Sequence, residues 1–146
     1  MAFNVVALPE PTSDLIAALE ATGLPTDDLQ EPGRRFYRFE DDGGLVGYGG
    51  LEQIGPEALI RSIVVLDEHR GAGHGSAILS WLEAEAVGRK ASGLYLLTAS
   101  ATAFFERHGY VVLPRSSAPP AIAASRQFST LCPASAAFMF KELRTQ

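Results

Sequence analysis

Cysteine is nearly absent from this chain. Its one thiol, Cys132, excludes an intramolecular disulfide and any zinc site built on several cysteines, and it accords with a reducing compartment. Cationic residues are also in short supply: 12 Lys and Arg stand against 17 Asp and Glu, for a net charge of −5. A chain of that sign has no general field for nucleic acid or anionic membranes, so a polyanionic ligand must be held by local groups. Long apolar runs are missing too, and none nears the roughly 20 residues that span a bilayer. The N-terminus, MAFNVVALPEPTSD, lacks the charged start and apolar core of a secretory signal. Repeats, low-complexity tracts and linkers do not occur. The chain therefore reads as soluble and cytoplasmic, one domain over residues 1–146, with 47% apolar residues to build a core.

What the chain does have is a glycine-rich stretch at its centre, within LIRSIVVLDEHRGAGHGSAILSWLEAE over residues 59–85. Residues 63–66 form a β-branched apolar run that suits a strand buried on both faces. Ile78, Leu79, Leu82 and Ala86 recur at helical spacing. Between them lie Arg70, Gly71, Ala72, Gly73, His74, Gly75 and Ser76. A strand that turns through glycines into a helix aims free amides and the positive end of the helix dipole at one point, which suits phosphate. A P-loop needs Lys before its Ser or Thr, and Ser76 follows Gly75 directly. A dinucleotide fingerprint would put Ser76 where its third glycine belongs, and it belongs to the first strand of a longer series. Arg-x-x-Gly-x-Gly fits at Arg70, Gly73 and Gly75 without adjustment.

That last pattern resembles the acetyl-coenzyme A signature of the GNAT (general N-acetyltransferase) superfamily. The element order resembles it as well. Strands are expected over 3–8, 34–40, 45–51, around 63–66, 93–98, 110–113 and 136–143, and helices after Thr12, after Gly75, and over 99–108 and 121–128. A further helical turn is expected at 26–29. Asp41-Asp42-Gly43-Gly44 reads as a hairpin turn, and Gly47, Gly49 and Gly50 leave room for a close neighbour or mark a bulge. The fold class is thus mixed α/β with a mostly antiparallel sheet and one parallel crossover. The resemblance implies that the two crossover strands splay, and that main-chain groups of Ile63, Val64 and Val65 pair with the pantetheine arm of the coenzyme. It also implies cofactor contacts at Thr98 and Phe105.

Acetyl transfer from a thioester to an amine asks for a deprotonated amine, a stabilised oxyanion and, in some enzymes, a proton for the departing thiolate. Glu52, at a strand end across a turn from the cofactor strand, is the candidate base, with Glu57 behind it. The family pattern has a tyrosine where this chain has Phe105, which carries no proton to give. Tyr95 and Tyr110 are the possible substitutes, against a plain core role for both. Arg61, a cation inside an apolar strand, either pairs with Glu52 or holds a substrate carboxylate. His69 and His108 read as surface residues and Trp81 as packing.

The tail AIAASRQFSTLCPASA, the segment GLYLLTASATAFFERHGY and Leu59-Ile60-Arg61-Ser62 are similar to the arsenic-resistance N-acetyltransferase branch. That likeness implies a small-molecule amine acceptor, a glutamate-like toxic amino acid of the arsinothricin or phosphinothricin kind. Arg126 and Ser135 would line its pocket. A regulatory acyl-coenzyme A-binding domain without turnover is the rival reading. No metal and no nucleic acid or membrane partner are expected, and a homodimer stays open.

Overall fold

Polar residues and a glycine set the ends of the first helix. Thr12 accepts a hydrogen bond from the Leu15 N–H (3.2 Å) at the start of α1 (Ser13–Ala21), and Asp14 lies in the first turn. At the other end Gly23 takes φ +74°, so that Leu24 N–H reaches back to the Leu19 carbonyl and Gly23 N–H to that of Glu20. Those two bonds close the helix as a Schellman turn. The computed structural model describes residues 3–24, 26–66, 73–125, 128 and 136–143.

The remaining elements follow in the order expected: β1 (Asn4–Leu8) before α1, then β2 (Arg34–Asp41), β3 (Gly44–Ile54), β4 (Glu57–Val65), α2 (His74–Gly88), β5 (Gly93–Thr98), α3 (Thr102–Arg107), β6 (Val111–Leu113), α4 (Pro120–Ala123) and β7 (Ala137–Glu142). They build one seven-stranded sheet in the order β1-β2-β3-β4-β5-β7-β6. Neighbours are antiparallel except β4 and β5, which are parallel because α2 crosses between them.

One face of the sheet is covered by α2 and α3. Ile78, Leu79, Leu82 and Ala86 pack there on Phe39, Val46, Leu51, Ile60 and Leu94. Trp81 packs edge-on to Tyr37 (4.7 Å) and Phe39 (5.4 Å), as its packing role requires. The opposite face carries two separate clusters. Leu15, Leu19 and Leu29 close over Phe36, Tyr48 and Val64, while Ile122 of α4 closes over Leu59, Tyr95 and Phe138.

Three local expectations need correction. Residues 26–29 are not helical: a hydrogen-bonded turn covers 27–30, and its Asp28 is held by arginines of the sheet. The helix expected over 121–128 is the short α4. Pro119 and Pro120 set its start, and the Ser125 hydroxyl, donating to the Ile122 carbonyl (2.7 Å), takes over at its end. The run 63–66 is not buried on both faces either, since Ile63 and Val65 are only partly buried.

Candidate active site

The parallel pair is short. β4 and β5 are in register only at Glu57↔Gly93, Ala58↔Leu94 and Leu59↔Tyr95. Beyond that row the two strands part, β4 running on along β3 and β5 along β7. A bulge in β4 helps to turn it: Ser62 and Ile63 together oppose Gly49, and Ser62 takes φ +62°. Gly47 permits the close approach this needs. A Cβ built there would stand 2.0 Å from the Val64 carbonyl oxygen.

That contact also decides which amides line the gap. The Val64 carbonyl lies against β3, and Leu66 N–H donates to the Val46 carbonyl (2.9 Å). Main-chain groups alternate between the two sides of a strand, so those of Ile63 and Val65 turn to the β5 side. Val64 is therefore the exception among the strand residues expected to pair with pantetheine. Its side chain closes the α1 cluster.

At the far end of the gap, α2 begins. Gly73 is its N-cap, in the left-handed region at φ +81°, and no side chain among the described residues caps the helix there. The first intrahelical bond is Ala77 N–H to the Gly73 carbonyl (3.1 Å), so the amides of His74, Gly75 and Ser76 all precede it. Open space lies where a Gly73 Cβ would be. The His74 ring is tucked away beneath, stacked on Phe3 at 6.0 Å with Nε2 3.5 Å from Asp41 Oδ2. The cradle thus suits an anion. Arg70, Gly71 and Ala72, and His69 before them, lie outside the described residues.

Phe105 does not border the gap. It is buried in the α2/α3 core against Phe104 and Tyr110. Phe104, which no motif in the sequence marks, takes that place: its ring comes within 3.6 Å of a Cβ built on Gly75, and Val65 within 3.8 Å. Thr98 lies at the end of β5, where its hydroxyl oxygen accepts the Ala101 N–H (2.9 Å). Tyr110 has its proton committed elsewhere. The Tyr110 hydroxyl donates to Glu83 (2.9 Å), and burial first, then the Glu83 charge, pushes it far above its ordinary range. Burial, with the Glu57 charge behind it, raises Tyr95, which packs between Phe138 and Phe140. His108, read as a surface residue, is partly buried and bridges α3 to α2.

On the α1 face, beside the last paired row, lies a cluster of charges. Arg61 grips Asp28 with both arms of its guanidinium at 2.6 Å, and Arg34 adds bonds to the same carboxylate at 3.0 and 3.2 Å. Glu52 stands beside them at longer range, 3.4 Å from Arg34 and 3.5 Å from Arg61. Its Oε1 has no hydrogen-bond partner among the described residues. Asp28, Arg61 and Glu52 are 0%, 3% and 4% exposed.

Arg61 therefore does not stand open to a substrate carboxylate. Its fork is filled by Asp28, and Nε faces Ser62 Oγ at 3.3 Å. The two carboxylates diverge in acidity. Burial pushes Asp28 up, but the Arg61 bonds and charge, reinforced by Arg34, outweigh it and hold it below the usual range. Burial also pushes Glu52 up; Arg34 and Arg61 counter it only in part, and the Asp28 charge adds to the rise. Such a split in environment is how a pair of carboxylates acquires separate roles. Glu57, the second candidate, is raised by burial alone. Arg126, Ser135 and Cys132 lie outside the described residues, which contain no group of His, Cys, Asp and Glu able to hold a metal.

Comparison with known proteins places this arrangement. The profile for an acetyltransferase (GNAT) domain matches residues 32–112. The chain belongs to the GNAT family of acetyltransferase domains. No curated protein matches it in sequence. Among solved structures it is similar to N-acetylglutamate synthase from Neisseria gonorrhoeae, solved with coenzyme A and N-acetyl-glutamate. That match has a TM-score of 0.75 at 18% identity, over 97% of this chain and 35% of that one. It also resembles a GNAT acetyltransferase from Staphylococcus aureus Mu50 (TM-score 0.74, 18% identity, 98% and 100% covered). A third likeness is to the ribosomal-protein-S18-alanine N-acetyltransferase of Escherichia coli (TM-score 0.69, 19% identity, 99% and 96% covered). The chain spans about a third of the length of the Neisseria synthase. Identities this low speak for the fold. No described helix is long and apolar enough to cross a membrane.

Proposed function

We propose that this domain transfers the acetyl group to the primary amine of a small, glutamate-like amino acid, of the arsinothricin or phosphinothricin kind, as part of arsenic resistance in the cytoplasm. The observation that carries the transferase reading is the parting of β4 from β5 beyond Leu59 and Tyr95, which opens onto the first turn of α2. The acceptor class rests on the likeness of residues 59–62, 93–110 and 121–136 to the arsenic-resistance branch.

In this reading the residues divide the work by position. Arg70 and the amides of residues 71–76 hold the diphosphate, and main-chain groups of Ile63 and Val65 hold the pantetheine arm. Thr98 and Phe104 flank that arm. Acetyl-coenzyme A supplies an activated thioester. Glu52, raised in pKa and with one oxygen that takes no hydrogen bond among the described residues, accepts a proton from the acceptor ammonium, directly or through water. Asp28 occupies Arg61, so the acceptor carboxylate falls to Arg126 and Ser135. The thiolate leaves without a phenol to protonate it, as a thiol pKa near about 8.5 tolerates.

Release of free thiol from acetyl-coenzyme A against arsinothricin, phosphinothricin, glutamate and polyamines tests the whole reading. Turnover with the phosphinic and arsinic amino acids, well above that with polyamines, is the expected result. One observation favours the rival: Phe105 has no hydroxyl, and both candidate tyrosines are committed to the core. Binding of acetyl-coenzyme A with no thiol released by any amine would make this a regulatory acyl-coenzyme A-binding domain instead.

A further inference from the structure

His108 sits at the end of α3 and joins it to the first turn of α2. Its Nδ1 lies 2.8 Å from the Phe104 carbonyl oxygen and its Nε2 2.9 Å from Ser76 Oγ. A carbonyl can only accept, so Nδ1 carries the hydrogen. In the neutral ring Nε2 is then an acceptor, and the Ser76 hydroxyl must donate to it. Ser76 is the third residue of α2. Helical Cα–Cβ bonds tilt toward the N-terminus, so this hydroxyl stands level with the amides that precede the first intrahelical bond.

With its proton given to His108, Ser76 presents only lone pairs toward that turn. A phosphate oxygen arriving there meets repulsion from them. The conflict is removed if Nε2 gains a proton: the imidazolium donates to Ser76 Oγ, and the Ser76 O–H turns outward to the phosphate. We propose that His108 is part of the coenzyme diphosphate site, and that it takes up one proton from solvent as the diphosphate binds. This rests on the diphosphate lying at the start of α2, as proposed above.

The surroundings of the ring permit that change of charge. Both ring nitrogens bond to neutral groups, and the Phe104 ring lies beside the imidazole at 4.6 Å. From β7, Lys141 Nζ donates to the His108 carbonyl (2.9 Å) and to Glu83 of α2 (3.1 Å). Glu83 in turn accepts from the Tyr110 hydroxyl. Glu106 and Arg107 precede His108 on α3, both exposed. The Glu83 carboxylate is thus engaged by Lys141 and Tyr110, and an incoming phosphate is the anion to which the ring responds.

The test is calorimetric. Dephospho-coenzyme A is the probe, because the 3′-phosphate of coenzyme A itself titrates near pH 6. Imidazole charge changes between about pH 5 and 8, so binding is measured from pH 5.5 to 7.5 in buffers of differing ionisation enthalpy. Wild type should bind about threefold to tenfold tighter at pH 5.5, with uptake of up to one proton. His108→Gln, whose amide donates to Ser76 at every pH, should bind with no pH slope. His108→Phe should also be flat, but weaker. Absence of proton uptake in the wild type overturns the proposal without recourse to any variant, as does an undiminished slope in His108→Gln. If the wild type binds neither dephospho-coenzyme A nor coenzyme A at any pH, the diphosphate site itself falls.

Discussion

Asp28 and Glu52 share two arginines yet are pushed in opposite directions. Asp28 takes the short bonds and Glu52 is left with the long ones, so Asp28 is the counter-ion and Glu52 keeps an oxygen with no hydrogen bond among the described residues. Glu52→Gln should lower kcat/KM about 10²-fold near pH 7, and the loss should shrink at high pH, where the acceptor amine is already neutral. A parallel fall at every pH would rule out the base role. Stability should respond with the opposite sign. A raised folded pKa favours folding below the unfolded value, near about 4.3, and that contribution is lost as pH rises through the folded pKa. Melts of Glu52→Gln should therefore exceed wild type at pH 7 and converge with it near pH 4. Asp28 behaves conversely, its contribution present at neutral pH and lost in acid. Asp28→Asn strands two buried arginines and should cost about 3–5 kcal/mol at pH 7, read from denaturant unfolding.

At the scale of elements, β4 is the piece whose path makes the site. It follows β3 past the bulge while β5 turns to β7, and Gly47 is what lets the Val64 carbonyl come so near. Gly47→Ala puts a methyl group against backbone, not against a side chain that could swing aside. It should destabilise by about 3 kcal/mol, the upper end for overpacking. The start of α2 makes a separate prediction. A side chain at Gly73 would project into open space, so Gly73→Glu places a negative charge where the diphosphate is proposed to bind. Its fold should survive with about 1 kcal/mol of left-handed strain. The thermal shift produced by acetyl-coenzyme A should vanish, and an unchanged shift would move the phosphate site elsewhere.

For the molecule as a whole, the gap divides the sheet beyond its last paired row into β1 to β4 on one side and β5, β7 and β6 on the other. A cofactor spanning it stabilises both. At a hundred times its dissociation constant, acetyl-coenzyme A should add about 2.7 kcal/mol, and thermal melts should rise by about 5–10 °C.

Element order and the family were legible because they rest on local signals: β-branched runs, the turn at Asp42 and Gly43, Thr12 as a cap, and glycines after a strand. The charge cluster was legible only in part: pairing of Arg61 with Glu52 is one of the two readings the sequence offers, and the two do stand 3.5 Å apart, but nothing in the sequence marks Arg34 or Asp28 as their partners. A hairpin turning on Asp42 and Gly43 pairs Asp41 with Gly44 and Glu40 with Leu45, and uninterrupted counting would set Arg34 opposite Leu51. An irregularity between Phe39 and Glu40 shifts the register by one, so that Arg34 meets Glu52. One residue of slip exchanges the faces of a strand. Asp28 was hidden for another reason: it belongs to a turn far from Arg61 in sequence.

Residues 59–85 by themselves determined a strand and a helix, and with them the expectation of an anion site between the two, because each depends on neighbours a few positions apart. Only the tertiary structure decided that Asp28, not a substrate, fills the fork of Arg61, that Phe104 and not Phe105 borders the gap, and that His108 reaches Ser76. Those are meetings between distant segments, settled by strand register and by which face each helix turns to the sheet.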